Sequence, residues 1–259
     1  MVLESWPAPV RSLLFSLLGL GWIVKFLKSV RSTSHGNHEL LTSVFKRNHF
    51  DVQVFNEELL PKEGGFIIGS NHPHGFFDGL GTIWLGSKNG QDCRAIGRHF
   101  VSVFEPIKDL FLLIEIDAKR RSEQGKQVTE QSAEFVTQGG CLAINCAGRL
   151  SIAKPFWTKS KDLPWKTGAV RIAEAANAPI VLVFADMHQS AFRQLCQRVH
   201  PVVRALAQVF SYRFGRTQKL HLHVLAVVKP SDFPDGTPQE KTRWMQAKFN
   251  TLAKQKKLT

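Results

Sequence analysis

Four short apolar runs, set apart by helical stretches and by glycine or proline breaks, constrain this chain more than any other feature. They are residues 65–70 (GFIIGS), 141–146 (CLAINC), 179–185 (PIVLVFA) and 219–228 (KLHLHVLAVV). Runs this short and this apolar read as strands buried within a sheet. Between and after them the spacing turns helical. Residues 129–138 form a predicted helix stopped by Gly139 and Gly140, residues 168–178 an alanine-rich helix, and residues 239–257 a basic amphipathic helix. Pro201 opens a further turn, with Val202, Leu206 and Val209 at helical spacing. Strands that alternate with helices pair in parallel through right-handed crossovers, which leaves helices on both faces of the sheet. The expected class is therefore α/β, with a mostly parallel central sheet flanked by helices. The 259 residues suffice for one sizeable core, and 43% hydrophobic against 21% charged residues argues against disorder.

The N-terminal segment stands apart. Residues 12–24 (SLLFSLLGLGWIV) carry no charge and are flanked by Arg11 on one side and by Lys25, Lys28 and Arg31 on the other. As a helix this run reaches about 20 Å, short of the roughly 30 Å hydrocarbon core of a bilayer. A secretory signal fits poorly, because no small-x-small cleavage site precedes the basic cluster. Trp6 and Trp22 are rings of the kind that settle at headgroup depth. The expectation is a membrane-associating helix lying in one leaflet, held by apolar burial and by basic residues on anionic lipid; a core helix is the alternative. Residues 32–37 (STSHGN) make a polar break, so residues 1–37 are read as the anchor and residues 38–259 as the main domain.

The net charge is +13 and the pI about 9.9, which speaks of partners and not of fold. An anionic membrane surface or anionic substrates use that charge. Nucleic acid is not an expected partner, since no binding motif is present and the apolar N-terminus would go unused. Cys93, Cys141, Cys146 and Cys196 show no C-x-x-C pair and no disulfide-like spacing, so they read as reduced, packed residues in a cytosol-facing protein.

The chemistry concentrates after the first apolar run, at residues 71–78 (NHPHGFFD). In α/β sheets the reacting groups gather where strands end and helices begin. His72 lies two residues past a strand, in a turn that Pro73 and Gly75 shape, and Asp78 opens the helix expected over residues 78–85. A histidine is a competent base near neutral pH, and a carboxylate on its second nitrogen fixes the tautomer and stabilises the imidazolium. His74, four residues before Asp78, is a rival for that carboxylate. No G-x-S-x-G elbow, Walker A, G-x-G-x-x-G or H-E-x-x-H occurs, and no cysteine stands in a nucleophile's context. The simplest scheme applies the base directly to an acceptor hydroxyl or amine. His221 and His223 share one face of a strand; a polar strand face is the ordinary reading and a metal pair the other. Lys248, Lys254, Lys256 and Lys257 read as a solvated helix face.

Residues 71–80 (NHPHGFFDGL) resemble the catalytic block of the glycerolipid and lysophospholipid acyltransferase superfamily. The usual form places four residues between histidine and aspartate. Here there are five, which fits the sub-pattern N-H-P-x-G-x-x-D-G. A second match is Ala147-Gly148-Arg149-Leu150-Ser151, followed by residues 164–169 (PWKTGA) and 178–183 (APIVLV). The superfamily commonly carries F-P-E-G-T-R there. Alanine in place of the glutamate, then a tryptophan before the glycine-alanine helix, resembles the hemolysin-like or ornithine-lipid acyltransferase branch. Ser190-Ala191-Phe192, Pro201 and Arg204 are weaker matches, and the resemblance spans roughly residues 40 to 235.

The resemblance implies an acyltransferase domain over residues 38–259, in a monotopic protein on the cytoplasmic face of a membrane. His72 takes a proton from the acceptor, a lysolipid such as lyso-ornithine lipid or a lysophospholipid, and Asp78 supports the imidazolium. The donor is the thioester of acyl carrier protein or of coenzyme A, a co-substrate and not a cofactor; the reaction needs no metal. Asn71, Gly75, Gly148, Arg149 and Ser151 are the implied substrate-binding residues, with Arg149 holding a phosphate or carboxylate unless it is a plain surface arginine. The family's arginine after an Ile-Asp pair is replaced here by Ala118, with Lys119, Arg120 and Arg121 displaced; Arg120 is the expected substitute. The Ala118 and Ala147 departures leave one alternative, a catalytically idle membrane-binding protein of the same fold.

Overall fold

A computed structural model describes residues 21–32, 34–98, 105–114, 121–153, 155, 157–187, 194–195 and 218–258. In chain order these form α1 (Gly21–Arg31), α2 (Asn37–Arg47), β1 (Phe50–Phe55), β2 (Phe66–Ser70) and α3 (Phe77–Gly86). There follow β3 (Cys93–Arg98), β4 (Phe111–Ile114), α4 (Arg121–Thr137) and β5 (Cys141–Asn145). The chain continues through α5 (Gly168–Ala176), β6 (Ile180–Met187), β7 (Gln218–Val228) and α6 (Pro238–Gln255).

The described strands make one seven-stranded sheet in the order β1-β7-β6-β2-β5-β3-β4. β2 lies between β5 and β6, parallel to both, and β3 is parallel to β4 and to β5. The mostly parallel sheet is as expected. The direction of β7 is not: it runs antiparallel to β6, and β1 pairs parallel to β7. The β7–β1 pair is therefore reversed relative to the rest, a difference that a run of apolar residues carries no sign of.

Strand alternation divides the core between the two faces. On one face Ile68, Ala143, Val181, Val183, Leu220 and Leu222 pack with Leu40, Leu41 and Val44 of α2 and with Leu80 and Ile83 of α3. On the other, Ile67, Leu142, Ile180 and Leu182 meet Val136 of α4, Val170 and Ala173 of α5, and Met245 and Phe249 of α6. The outer side of α6 carries Lys248 and, past Lys254, Lys256 and Lys257, all exposed as expected for a solvated face. Thr237 caps α6, its hydroxyl accepting from the Glu240 N–H while the Glu240 carboxylate accepts from the Thr237 N–H.

The polar break separates two packed helices, α1 and α2. Leu27 and Val30 of α1 are almost fully buried in the same cluster as α2. Residues 1–20, with Trp6 and most of the apolar run, lie outside the described residues, as do Arg120, Cys196, Ser190, Pro201 and Arg204. Among the described residues no helix is long and apolar enough to cross a membrane. Cys93, Cys141 and Cys146 are free and buried, packed as small apolar side chains.

Candidate active site

The turn that carries His72 begins where β2 ends, between the ends of its two neighbours. Ser70 donates its hydroxyl to Asn145 Oδ1 of β5 at 3.0 Å. Asn71, 7% exposed, clasps β6: its amide donates to the Ala185 carbonyl at 3.1 Å, and its Oδ1 accepts from the Ala185 N–H at 2.7 Å. Asn71 is thus engaged with backbone at both ends of its amide and serves to position the residue that follows it.

His72 is held at three points. Its carbonyl accepts from the Ser151 N–H at 2.8 Å, its own N–H donates to Asp162 Oδ1 at 3.3 Å, and its ring Nδ1 lies 3.1 Å from Asp78 Oδ2. A carboxylate can only accept, so Nδ1 carries a proton, and in the neutral ring Nε2 is the nitrogen with the lone pair. The His72 side chain is 16% exposed, whereas that of Asp78 is wholly buried. The ring is therefore braced from inside and reachable from outside, as a general base must be.

Asp78 accepts four N–H donors. Oδ2 takes the His72 ring and the His74 backbone at 2.9 Å; Oδ1 takes the Gly75 backbone at 2.9 Å and the Gly79 backbone at 2.8 Å. Burial alone raises a carboxyl's pKa, but the charge and hydrogen bond of His72, and then the contributions of His74, outweigh it. The Asp78 carboxyl is held well below the usual carboxylate range. Gly75 adopts φ 118°, a conformation that closes the turn and that a side chain would strain.

This arrangement decides the rivalry between the two histidines. The ring hydrogen bond to Asp78 comes from His72, while His74 supplies its backbone N–H and packs its buried ring edge-on against Phe77 at 6.0 Å. The N–H groups of His74, Gly75 and Gly79 are all directed at Asp78.

The second sequence block lies against the first. Gly148 turns the chain at φ 61°, and its N–H donates to the Asn145 carbonyl at 2.8 Å, so the block starts at the end of β5. Arg149 is exposed there, and Ala147 is buried in the core. Ser151 is 3% exposed and donates its hydroxyl to Asp162 Oδ1. Its hydroxyl and N–H both hold the turn, which gives Ser151 a positioning role. Arg120 lies outside the described residues.

Asp162 was missed in the sequence. It accepts from the His72 N–H, the Ser151 hydroxyl and, at 2.8 Å, Nε1 of Trp165. Burial pushes its carboxyl up, and these three hydrogen bonds offset that only in part. A signal existed: Asp162 is the only acidic residue between Glu134 and Glu174, in a stretch rich in lysine and arginine. Asp162→Ala strands three donors, at a cost of about 2–4 kcal/mol, and the Tm is expected to fall by about 5–10 °C. Because the His72 ring and Asp78 remain, kcat is expected to fall by about 10–100-fold with KM little changed. Thermal unfolding and steady-state kinetics on the same preparation check both.

Among the described residues nothing nearby supplies an activated thiol. Cys146 is fully enclosed, and burial, followed by the charge of Asp162, pushes its thiol up and away from the thiolate a nucleophile needs. The groups present can remove a proton from an acceptor and return it to a leaving group.

A family model described as Acyltransferase matches residues 51–185, just over half of the chain, and takes in both sequence blocks. The chain is similar in structure to the 1-acyl-sn-glycerophosphate (LPA) acyltransferase of Thermotoga maritima. The TM-score is 0.50 at 15% identity, with 95% of this chain and 97% of that one covered. At that identity the likeness concerns the fold. Comparison with curated proteins finds no match.

Proposed function

The chain belongs to the acyltransferase family, and from that premise we propose that it moves a fatty acyl group from a thioester donor to a lysolipid, with His72 as general base. The observation that carries the reading is the His72–Asp78 pair, with Nδ1 fixed on a buried carboxylate and Nε2 left for the acceptor. Nε2 takes the proton of the acceptor hydroxyl as its oxygen forms a bond to the thioester carbonyl carbon. The carbon–sulfur bond then breaks, and the departing thiolate recovers the proton from the imidazolium. Asp78 stays ionised throughout and stabilises the charged ring.

The donor is the thioester of acyl carrier protein or of coenzyme A. For the acceptor, the name of the similar Thermotoga enzyme suggests a lysophosphatidate, while Ala147 and the five-residue spacing favour a lyso-ornithine lipid or another aminolipid of the hemolysin-like branch. Arg149, exposed beside the Ser151–His72 contact, would meet the phosphate or carboxylate of either. Arg120 has the same proposed role. The net charge of +13 and the apolar N-terminal run suit work at the cytoplasmic face of an anionic membrane. Labelled acyl-carrier protein and acyl-coenzyme A, each offered with lysophosphatidate and with lyso-ornithine lipid, test the reading. A diacyl product from one acceptor supports it and names the acceptor; no product from any pairing contradicts it.

A further inference from the structure

A second polar cluster lies on the α4–α6 side of the sheet, toward its β1 edge, and acyl transfer makes no use of it. The register between β6 and β7 sets Asp186 opposite His221 and Phe184 opposite His223. His221 and His223, two residues apart on one strand, project to the same face as Asp186. One ligand atom from each of the three residues lies within 4.8 Å of the others.

Two further observations bear on what this cluster is for. Nε2 of His221 and Nε2 of His223 are both buried without a hydrogen-bond partner among the described residues. Buried ring nitrogens are normally satisfied, and here two rings with such an atom lie beside a carboxylate. The His223 ring is also held in place, stacked on Phe55 at 4.5 Å with the planes 7° apart. Burial lowers the His223 pKa, and although Asp186 acts the other way, His221 and Lys256 add to the lowering.

We propose that Asp186, His221 and His223 form a binding site for a divalent transition metal of the zinc class. Two imidazoles and one carboxylate are the ligands of zinc, cobalt and nickel, and not of calcium or magnesium, which take oxygen. A tetrahedral ion bound at about 2.0–2.1 Å brings its ligands to about 3.3 Å apart. Binding therefore draws the three side chains together by up to about 1.5 Å, the exposed Asp186 turning toward the two rings, and the fourth position goes to water. Lys256, beyond the end of α6, is exposed, so its ammonium can turn away from the ion. The site also touches the catalytic turn: Asp186 follows Ala185, whose N–H and carbonyl are both clasped by Asn71. An ion on Asp186 therefore rigidifies the residue beside that clasp.

The test is Zn²⁺ titration of the chelator-treated, full-length protein by calorimetry, with Co²⁺ absorption to report the ligand field. The proposal expects one strong equivalent and a visible Co²⁺ band characteristic of four or five nitrogen and oxygen ligands. Losing a true ligand costs more than the roughly 10–100-fold that loss of an outer partner costs. Affinity in the double variant H221Q/H223Q, and separately in D186N, is expected to fall beyond that range. Absence of a strong equivalent in the wild type, or unchanged affinity in D186N and in a double variant with wild-type circular dichroism, overturns the site. D186N alters an exposed side chain and keeps the outcome readable if the double variant folds poorly. Because binding is measured without substrate, the result is independent of the acyl-transfer reading.

Discussion

His72→Ala is expected to lower kcat for acyl transfer by about 10²–10⁴-fold, with little change in the KM of either substrate and little change in Tm. The side chain is 16% exposed, and the turn around it is held by backbone contacts to Ser151 and Asp162 that alanine keeps. The fold therefore survives while the proposed base is lost. A base that acts in the transition state shows itself in kcat, whereas a residue that only binds substrate shows itself in KM. Steady-state kinetics against both substrates, with circular dichroism of the variant, separate the two roles. His74→Ala provides the contrast, since His74 meets Asp78 through its backbone N–H and that contact is retained.

Asp78→Asn is expected to cost both activity and stability. Kcat falls by about 10³-fold or more, because an amide can present its N–H to Nδ1 and so favour the wrong tautomer. The structural cost is separate. The carboxylate accepts the His72 ring and three backbone N–H groups in a fully buried position. An amide has one oxygen for those four donors, so the variant is expected to lose about 3 kcal/mol or more. The pH dependence carries a definite sign. The folded carboxyl is held below its ordinary value of 3.8, so its stabilisation is complete above that value and is lost as the pH falls below it. The stability gap between wild type and Asp78→Asn should be constant from neutral pH down to about 4 and narrow below that. Denaturant unfolding at a series of pH values measures it.

What could be read in the sequence follows from how local each feature is. His72 and Asp78 were legible because strand, turn and helix N-terminus are contiguous, so the pair and its shaping Gly75 fall within one short motif. The four apolar strands and the helices at residues 168–178 and 239–257 were legible because their periodicity is strong. β4 is only four residues long, and β3 is interrupted by Arg94 and Gly97; neither has the continuous apolar signature of β2 or β6. The N-terminal half of α4 was missed because residues 121–127 are polar and include Gly125, which hides the helical period until Val128. Strand direction was illegible in β7, since its burial pattern carries no mark of which way the chain runs.

The positioning residues were the hardest to see because they act across long separations. Asn71 reaches Ala185, 114 residues on, and Asp162 reaches back 90 residues to the His72 backbone. Each looks like an ordinary polar residue until the sheet brings the ends of β2, β5 and β6 together. The same closure explains Ser151, whose match to the second block is real but whose hydroxyl is turned inward to Asp162. The Asp186–His221–His223 cluster has the same character. The two histidines lie two residues apart on one strand, but the carboxylate that makes them more than a polar strand face comes from the neighbouring strand.

The most direct test of direct, base-catalysed transfer is to count free thiol and acylated lipid together in a single-turnover reaction, with and without the lysolipid acceptor, for wild type and His72→Ala. Direct transfer by His72 requires thiol release only when acceptor is present, in one-to-one ratio with acylated lipid, and near-complete loss of both in the variant. Thiol release of one equivalent without acceptor reveals an acyl-enzyme, and undiminished transfer in His72→Ala removes the base; either result contradicts the mechanism.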